Sequence, residues 1–148
     1  MNRQTSLLDP TSTVPFVPSA LRAIDTSKID DPKAKGEAEE ENVRRASKRV
    51  TFRFGLWGSR AYAAIRDATF DADGVLRNGT AARLKIKYSL RGWEAPEGTP
   101  VFKSEERGGK PIGDASDESM DLIPLEWWNE MVEFTNEVNG FGKVEAGK

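Results

Sequence analysis

The sequence predicts an α+β fold: a small antiparallel sheet packed by one or two helices, with an extended N-terminal arm. Three observations predict it. Two stretches, "VTFRFGLW" at 50–57 and "RLKIKYSLRGW" at 83–93, alternate apolar and polar residues with the two-residue period of a half-buried strand. One stretch, "IPLEWWNEMVEFTNEVNG" at 123–140, repeats apolar residues at helical spacing. The opening residues 1–33 carry Pro10, Pro15, Pro18 and Pro32, which rule out a long helix there.

Residues 1–33 read as a Pro-rich arm. Its apolar residues Leu7, Leu8, Val14, Phe16, Val17, Leu21 and Ile24 stand in short clusters among Ser, Thr and Asp. Such clusters cannot build a core by themselves, so they are the candidate contacts of an arm that orders by docking into a neighbour. On this reading the body folds without residues 1–33. Residues 34–49 predict a charged surface helix, with Glu37 and Glu39 to Glu41 early, and Arg44, Arg45, Lys48 and Arg49 late. That polarity suits the helix dipole and places Glu40 and Glu41 one turn from Arg44 and Arg45.

Residues 50–140 form the expected single α+β domain. In its first strand Val50, Phe52, Phe54 and Leu56 point inward, with Thr51, Arg53 and Trp57 outward. Ser59 is a candidate N-cap for a helix whose narrow apolar stripe is Ala61, Ala64, Ile65 and Ala68. Turn signals at Asp73 with Gly74 and at Asn78 with Gly79 lead into the second strand. There Leu84, Ile86, Tyr88 and Leu90 face one side, and Arg83, Lys85, Lys87, Arg91 and Trp93 the other. "VFKSE" is a candidate third strand. The polar, Gly-rich residues 104–121 read as a mobile loop. In the final helix Leu125, Trp128, Met131 or Val132, Phe134 and Val138 form the apolar side, with Trp128 and Phe134 buried and Glu130 and Glu137 exposed. Pro124 starts that helix, Gly140 ends it, and residues 141–148 are a tail.

Composition narrows the chemistry. Histidine and cysteine are both absent, which excludes thiol chemistry, disulfides, Cys/His zinc sites and the commonest neutral-pH base. The stretch at 67–80 fails as a calcium loop, because with Gly74 at the sixth position threonines fall where Asp and Glu are needed. "RGGKPIG" at 107–113 lacks phosphate-loop spacing. The carboxylates of Glu105, Glu106, Asp114, Asp117, Glu118 and Asp121 sit in polar sequence rather than an apolar pocket, so no catalytic pair is expected. The chain is therefore read as non-enzymatic, with no cofactor, metal or small-molecule substrate. No apolar run is long enough to span a membrane, and the start lacks the apolar stretch of a signal peptide. The expected setting is intracellular or a virion.

Charge is segregated although the total is only −2. Residues 42–93 hold twelve basic and three acidic side chains, a net +9, and residues 94–148 a net −8. The candidate basic face is Arg53, Trp57, Arg83, Lys85, Lys87, Arg91 and Trp93. Cations beside indoles suit nucleic acid, by charge on phosphate and stacking on bases. The same face suits acidic protein surface and apolar arms, and the −8 that follows the +9 favours cover by acidic side chains of the same or a neighbouring chain. A Pro-rich arm, a compact α+β body and an acidic terminal helix resemble, in layout, small virus- or phage-encoded structural proteins. The expected function is a structural or assembly protein, with other protein subunits as partners in a homo- or hetero-oligomer. Nucleic-acid binding is the second reading.

Overall fold

Phenylalanine at alternate positions sets the sheet. Strand β2 (Thr51–Phe54) turns Phe52 and Phe54 to the interior, where both are fully buried. Strand β1 (Val14–Phe16) pairs with it antiparallel, Val14 opposite Phe54 and Phe16 opposite Phe52. Strand β3 (Leu90–Glu94) pairs on the other edge, giving a three-stranded sheet in the order β1-β2-β3. The computed structural model describes residues 12–69 and 78–140. Leu7, Leu8, the turn signal at Asp73 and Gly74, and the tail at 141–148 lie outside the described residues.

From Ser12 onward the arm is part of the body, contrary to the expected division at residue 33. Phe16 and Leu21 are buried, Val17 and Ile24 are half-buried, and only Val14 is exposed. A row of side chains on helix α1 (Pro32–Lys48) and just beyond it grips the arm's backbone. Asn42 both accepts from Ile24 N (2.7 Å) and donates to Ile24 O (3.0 Å). Arg45 donates to Arg22 O and Arg49 to Leu21 O. From the opposite end of the chain, Glu130 accepts from Ser19 N, and this residue is half-buried rather than exposed. Helix α1 itself buries none of its own residues, as its charged sequence requires, and Asp31 caps it by accepting from Ala34 N.

Helix α2 (Ser59–Thr69) buries Ile65 from its alanine stripe. Helix α3 (Asn78–Ser89) corrects the second strand: "RLKIKYS" is helical, and Asn78 with Gly79 belongs to its first turn rather than to a hairpin. Ala, Arg, Leu and Lys dominate this stretch and all favour helix. Helix α3 is packed by α2, by the terminal helix and by a strand of the second sheet. A helix wrapped on three sides needs no clean polar face, so its sequence lacks the helical period that would have revealed it. Ile86 and Ser89 are fully buried on it.

The expected loop at 104–121 is replaced by regular structure. Strands β4 (Ser104–Arg107) and β5 (Lys110–Ala115) form an antiparallel hairpin. Its two-residue turn is Gly108 and Gly109, with φ of 61° and 79°. Both values lie in the left-handed region that a type I′ turn demands and that glycine adopts without strain. "RGGK" therefore carried a hairpin signal. Helix α4 (Asp117–Asp121) follows, capped by Ser116, whose hydroxyl accepts from Ser119 N. Buried Ser119 ties this helix back to the hairpin by accepting from Lys103 N and donating to Lys103 O. A turn of 3-10 helix over Leu125–Trp127 leads into α5 (Trp128–Val138).

Helix α5 closes the inner face of the first sheet. Phe134 meets Phe16 (4.9 Å between centroids) and Phe54 (5.6 Å), and Phe52 meets Trp127 and Trp93 (both 6.0 Å). Trp128 and Phe134 are half-buried against a core that Met131, Met120, Ile86 and Leu90 complete. Leu125, expected on the apolar side, is exposed. No helix among the described residues is long and apolar enough to cross a membrane.

Phe16→Ala is expected to lower stability by about 3–5 kcal/mol, since the site cannot collapse between Phe54, Phe134 and β2. Urea unfolding followed by tryptophan fluorescence measures this. A midpoint equal to that of the parent would show that β1 stands outside the cooperative unit.

Candidate interaction surface

The seven residues of the expected basic face do not form one face. Helix α3 separates them first. Arg83 and Lys87, four residues apart, share one side of the helix, and Lys85 lies on another. Arg83 reaches Asp117 (3.1 Å) and Asp121 (3.5 Å), and Lys87 reaches Asp117 (3.3 Å), Glu105 (3.6 Å) and Ala115 O (2.6 Å). The acidic residues that follow the basic segment thus fold back onto it, through β4, β5 and α4. Lys85 is half-buried, and burial lowers its ammonium pKa.

A β-bulge separates the rest. Arg53 pairs with Gly92 but Phe54 with Leu90, so Arg91 is the extra residue. The bulge re-aims Arg91 beneath the strand end. Its guanidinium donates to Tyr88 O (2.6 Å) and Leu56 O (2.7 Å), closing the end of α3 onto the end of β2. Gly55 makes room for it: a Cβ there would stand 3.1 Å from Arg91 Nε. Burial lowers the pKa of Arg91, and the charge of Asp114 opposes that shift. Asp114 is itself raised by burial, with Arg91 and Lys87 opposing. The same bulge turns Trp93 inward, opposite Phe52, which corrects its expected outward placement. Its ring packs on Phe102 (5.2 Å) and its Nε1 donates to Pro100 O.

Arg53 does point outward, and it pairs with Glu94 (2.7 Å) across the strands. Trp57 lies half-buried near the far end of the molecule, its Nε1 donating to Lys85 O and its backbone N to Asn139 Oδ1. Trp93 packs against the core cluster and Trp57 is tied to helix α3 through its Nε1, while Arg53, Arg83 and Lys87 are ion-paired within the chain. Signals for these placements were faint in the sequence: only Gly92, between Arg91 and Trp93, marks the bulge.

A different surface stands out. Val50, Phe52, Trp93, Pro100, Leu122 and Trp127 line an open apolar cavity of about 210 Å³. No lining side chain is charged, and Thr99 is its one hydroxyl. In the adjoining sequence Val101 is 80% exposed, Leu125 75% and Leu122 46%. The groove is framed by the inward-turned Trp93, by Pro100 in the loop between β3 and β4, and by Pro124 between α4 and α5. The volume is below the roughly 300 Å³ at which small-molecule sites begin and suits one or two aliphatic side chains. No protein-family model, curated protein or solved structure matches the chain.

Asp117 links charge to pH. Hydrogen bonds from Arg83 and Lys87 hold its carboxyl below the usual range. A carboxyl depressed in the folded state adds stability above its unfolded pKa, and that contribution is lost as pH falls through the lower folded value. Asp117→Asn is therefore expected to flatten the acid side of the stability profile below about pH 4. The cost at neutral pH is under about 1 kcal/mol because the carboxylate is exposed. Melts of both proteins across pH measure the difference. An unchanged acid limb would show that these ion pairs do not couple to folding.

Proposed function

We propose that this protein is non-enzymatic and works by occupying a place in a larger protein assembly, which it contacts through the apolar groove beside Trp93. The setting we propose is intracellular or within a virion. The observation that carries this reading is the uncharged cavity edged by exposed Leu122, with exposed Val101 and Leu125 next in sequence to its lining residues Pro100 and Pro124. Contiguous apolar surface on a small body is commonly an interaction site, because leaving it in water is unfavourable. The ion pairs of Arg53, Arg83 and Lys87 and the packed indoles support protein contact over nucleic-acid binding, since charge already matched within the chain releases few counterions on binding phosphate.

Val101→Asp combined with Leu125→Asp tests this. Both positions are exposed, so the folded body is expected to keep its melting temperature within the small range of surface substitutions. In extracts of the native source, the parent is expected to run on native gels in a complex well above the mass of one chain, and the double variant as the free chain. A parent that runs as the free chain would overturn the reading. A parent complex that dissolves on nuclease treatment would replace it with nucleic-acid binding.

A further inference from the structure

We propose that the groove receives the Leu7 and Leu8 segment of a second copy of this chain; this rests on the assembly reading above and names its partner. The groove is uncharged, open and sized for aliphatic side chains. Residues 1–11, which lie outside the described structure, supply two adjacent leucines followed by Asp9 and Pro10. Pro10 fixes its own backbone and disfavours helix at Asp9, so the sequence predicts no helix running on from the leucines into the body.

Strand β1 runs from Val14, opposite Phe54, to Phe16, opposite Phe52. Followed backwards, the chain leaves the sheet past Phe54, where the Ser12 carbonyl lies beside Gly55. The groove is at the other end of β2, on Val50 and Phe52. Gly55 lies about 10 Å of strand from Phe52, the near side of the groove, and about 17 Å from Val50, the far side, at ~3.4 Å per residue. Leu8 and Leu7 lie only four and five residues ahead of Ser12, about 14 and 17 Å of fully extended chain. The chain would also have to reverse direction, and a four-residue turn uses up residues 9–11, which returns Leu8 only to the level of Ser12 and leaves both leucines short of Phe52. The segment therefore cannot fill its own groove and is free to fill another's.

A segment leaving one end of the body and a groove at the other make a head-to-tail contact. Such heterologous contacts close into rings or extend into filaments.

Sedimentation velocity of the full-length protein over a range of concentrations tests the proposal, with two variants: Leu7→Asp with Leu8→Asp, and Leu122→Asp at the groove's edge. The parent is expected to self-associate. Each variant is expected to associate at least about tenfold more weakly, as for loss of a buried leucine. An equimolar mixture of the two is expected to form heterodimers, because each supplies the half the other lacks. A fluorescein-labelled peptide of residues 1–12 is expected to bind the arm variant, whose groove is intact; this needs no change in the body and keeps the test open if Leu122→Asp unfolds. A monomeric parent with no peptide binding would overturn the inference and leave the assembly reading to its own test. An arm variant that associates like the parent while Leu122→Asp does not would also overturn it, and would leave the groove as the contact for another segment or partner. Unimpaired association by both variants would overturn the inference and remove the groove from the interface.

Discussion

Burial of the phenylalanine face of one short sheet under the last helix is the constraint on which the rest of the structure depends. Phe16, Phe52 and Phe54 come from two strands far apart in sequence, and Phe134 from a helix near the end. None of the contributing pieces has a core without the others. Each aromatic contact of this kind adds about 0.5–1.5 kcal/mol beyond the area it removes from water. A strand as short as β1 could not hold itself on the sheet by its backbone bonds alone, and Phe16 is what fixes it there. The polar grip of Asn42, Arg45 and Arg49 then fixes the following turn to α1, so a helix with no buried residues of its own is placed by what it holds.

Once Phe54 is seated, the end of β2 controls the charged side of the molecule. The bulge at Arg91 and the missing side chain at Gly55 let a guanidinium pass under the strand and bind two backbone carbonyls. That closure orients α3, and α3 in turn carries Arg83 and Lys87 to the acidic residues of β4, β5 and α4. The strong segregation of charge along the chain is therefore a folding device as much as a surface property. Opposite charges far apart in sequence meet across elements, where exposed pairs contribute little individually but disfavour arrangements that would leave the basic helix against itself.

The apolar groove is the unfinished margin of the same core. Phe52, Trp93 and Trp127 belong both to the packed interior and to the lining of the cavity. Their rings are held by neighbours on one side, which keeps the groove formed without an occupant and lowers the ordering cost of any contact made there. Two prolines, Pro100 and Pro124, edge the opening and stiffen it.

By itself the sequence determined the fold class, the alternating β2 with Phe52 and Phe54 inward, a helix beginning at Ser59 and the aromatic terminal helix. These are legible because each shows its own period against a solvent-facing side. Tertiary structure alone decided the rest. "RLKIKYS" alternates like a strand, yet it is a helix because neighbours cover it on three sides and its good helix formers then prevail. "RGGK" looked like loop because polar strands in a surface hairpin bury too little to show alternation, although its two glycines had the turn chemistry. The groove was illegible for a different reason. Val50, Trp93 with Pro100, and Leu122 with Trp127 lie on three separate stretches, and one extra residue in β3 decides which way Trp93 faces. A pattern read along the chain has no access to a side-chain reversal set by strand register, and a surface assembled from such distant pieces exists only when the register is fixed in space.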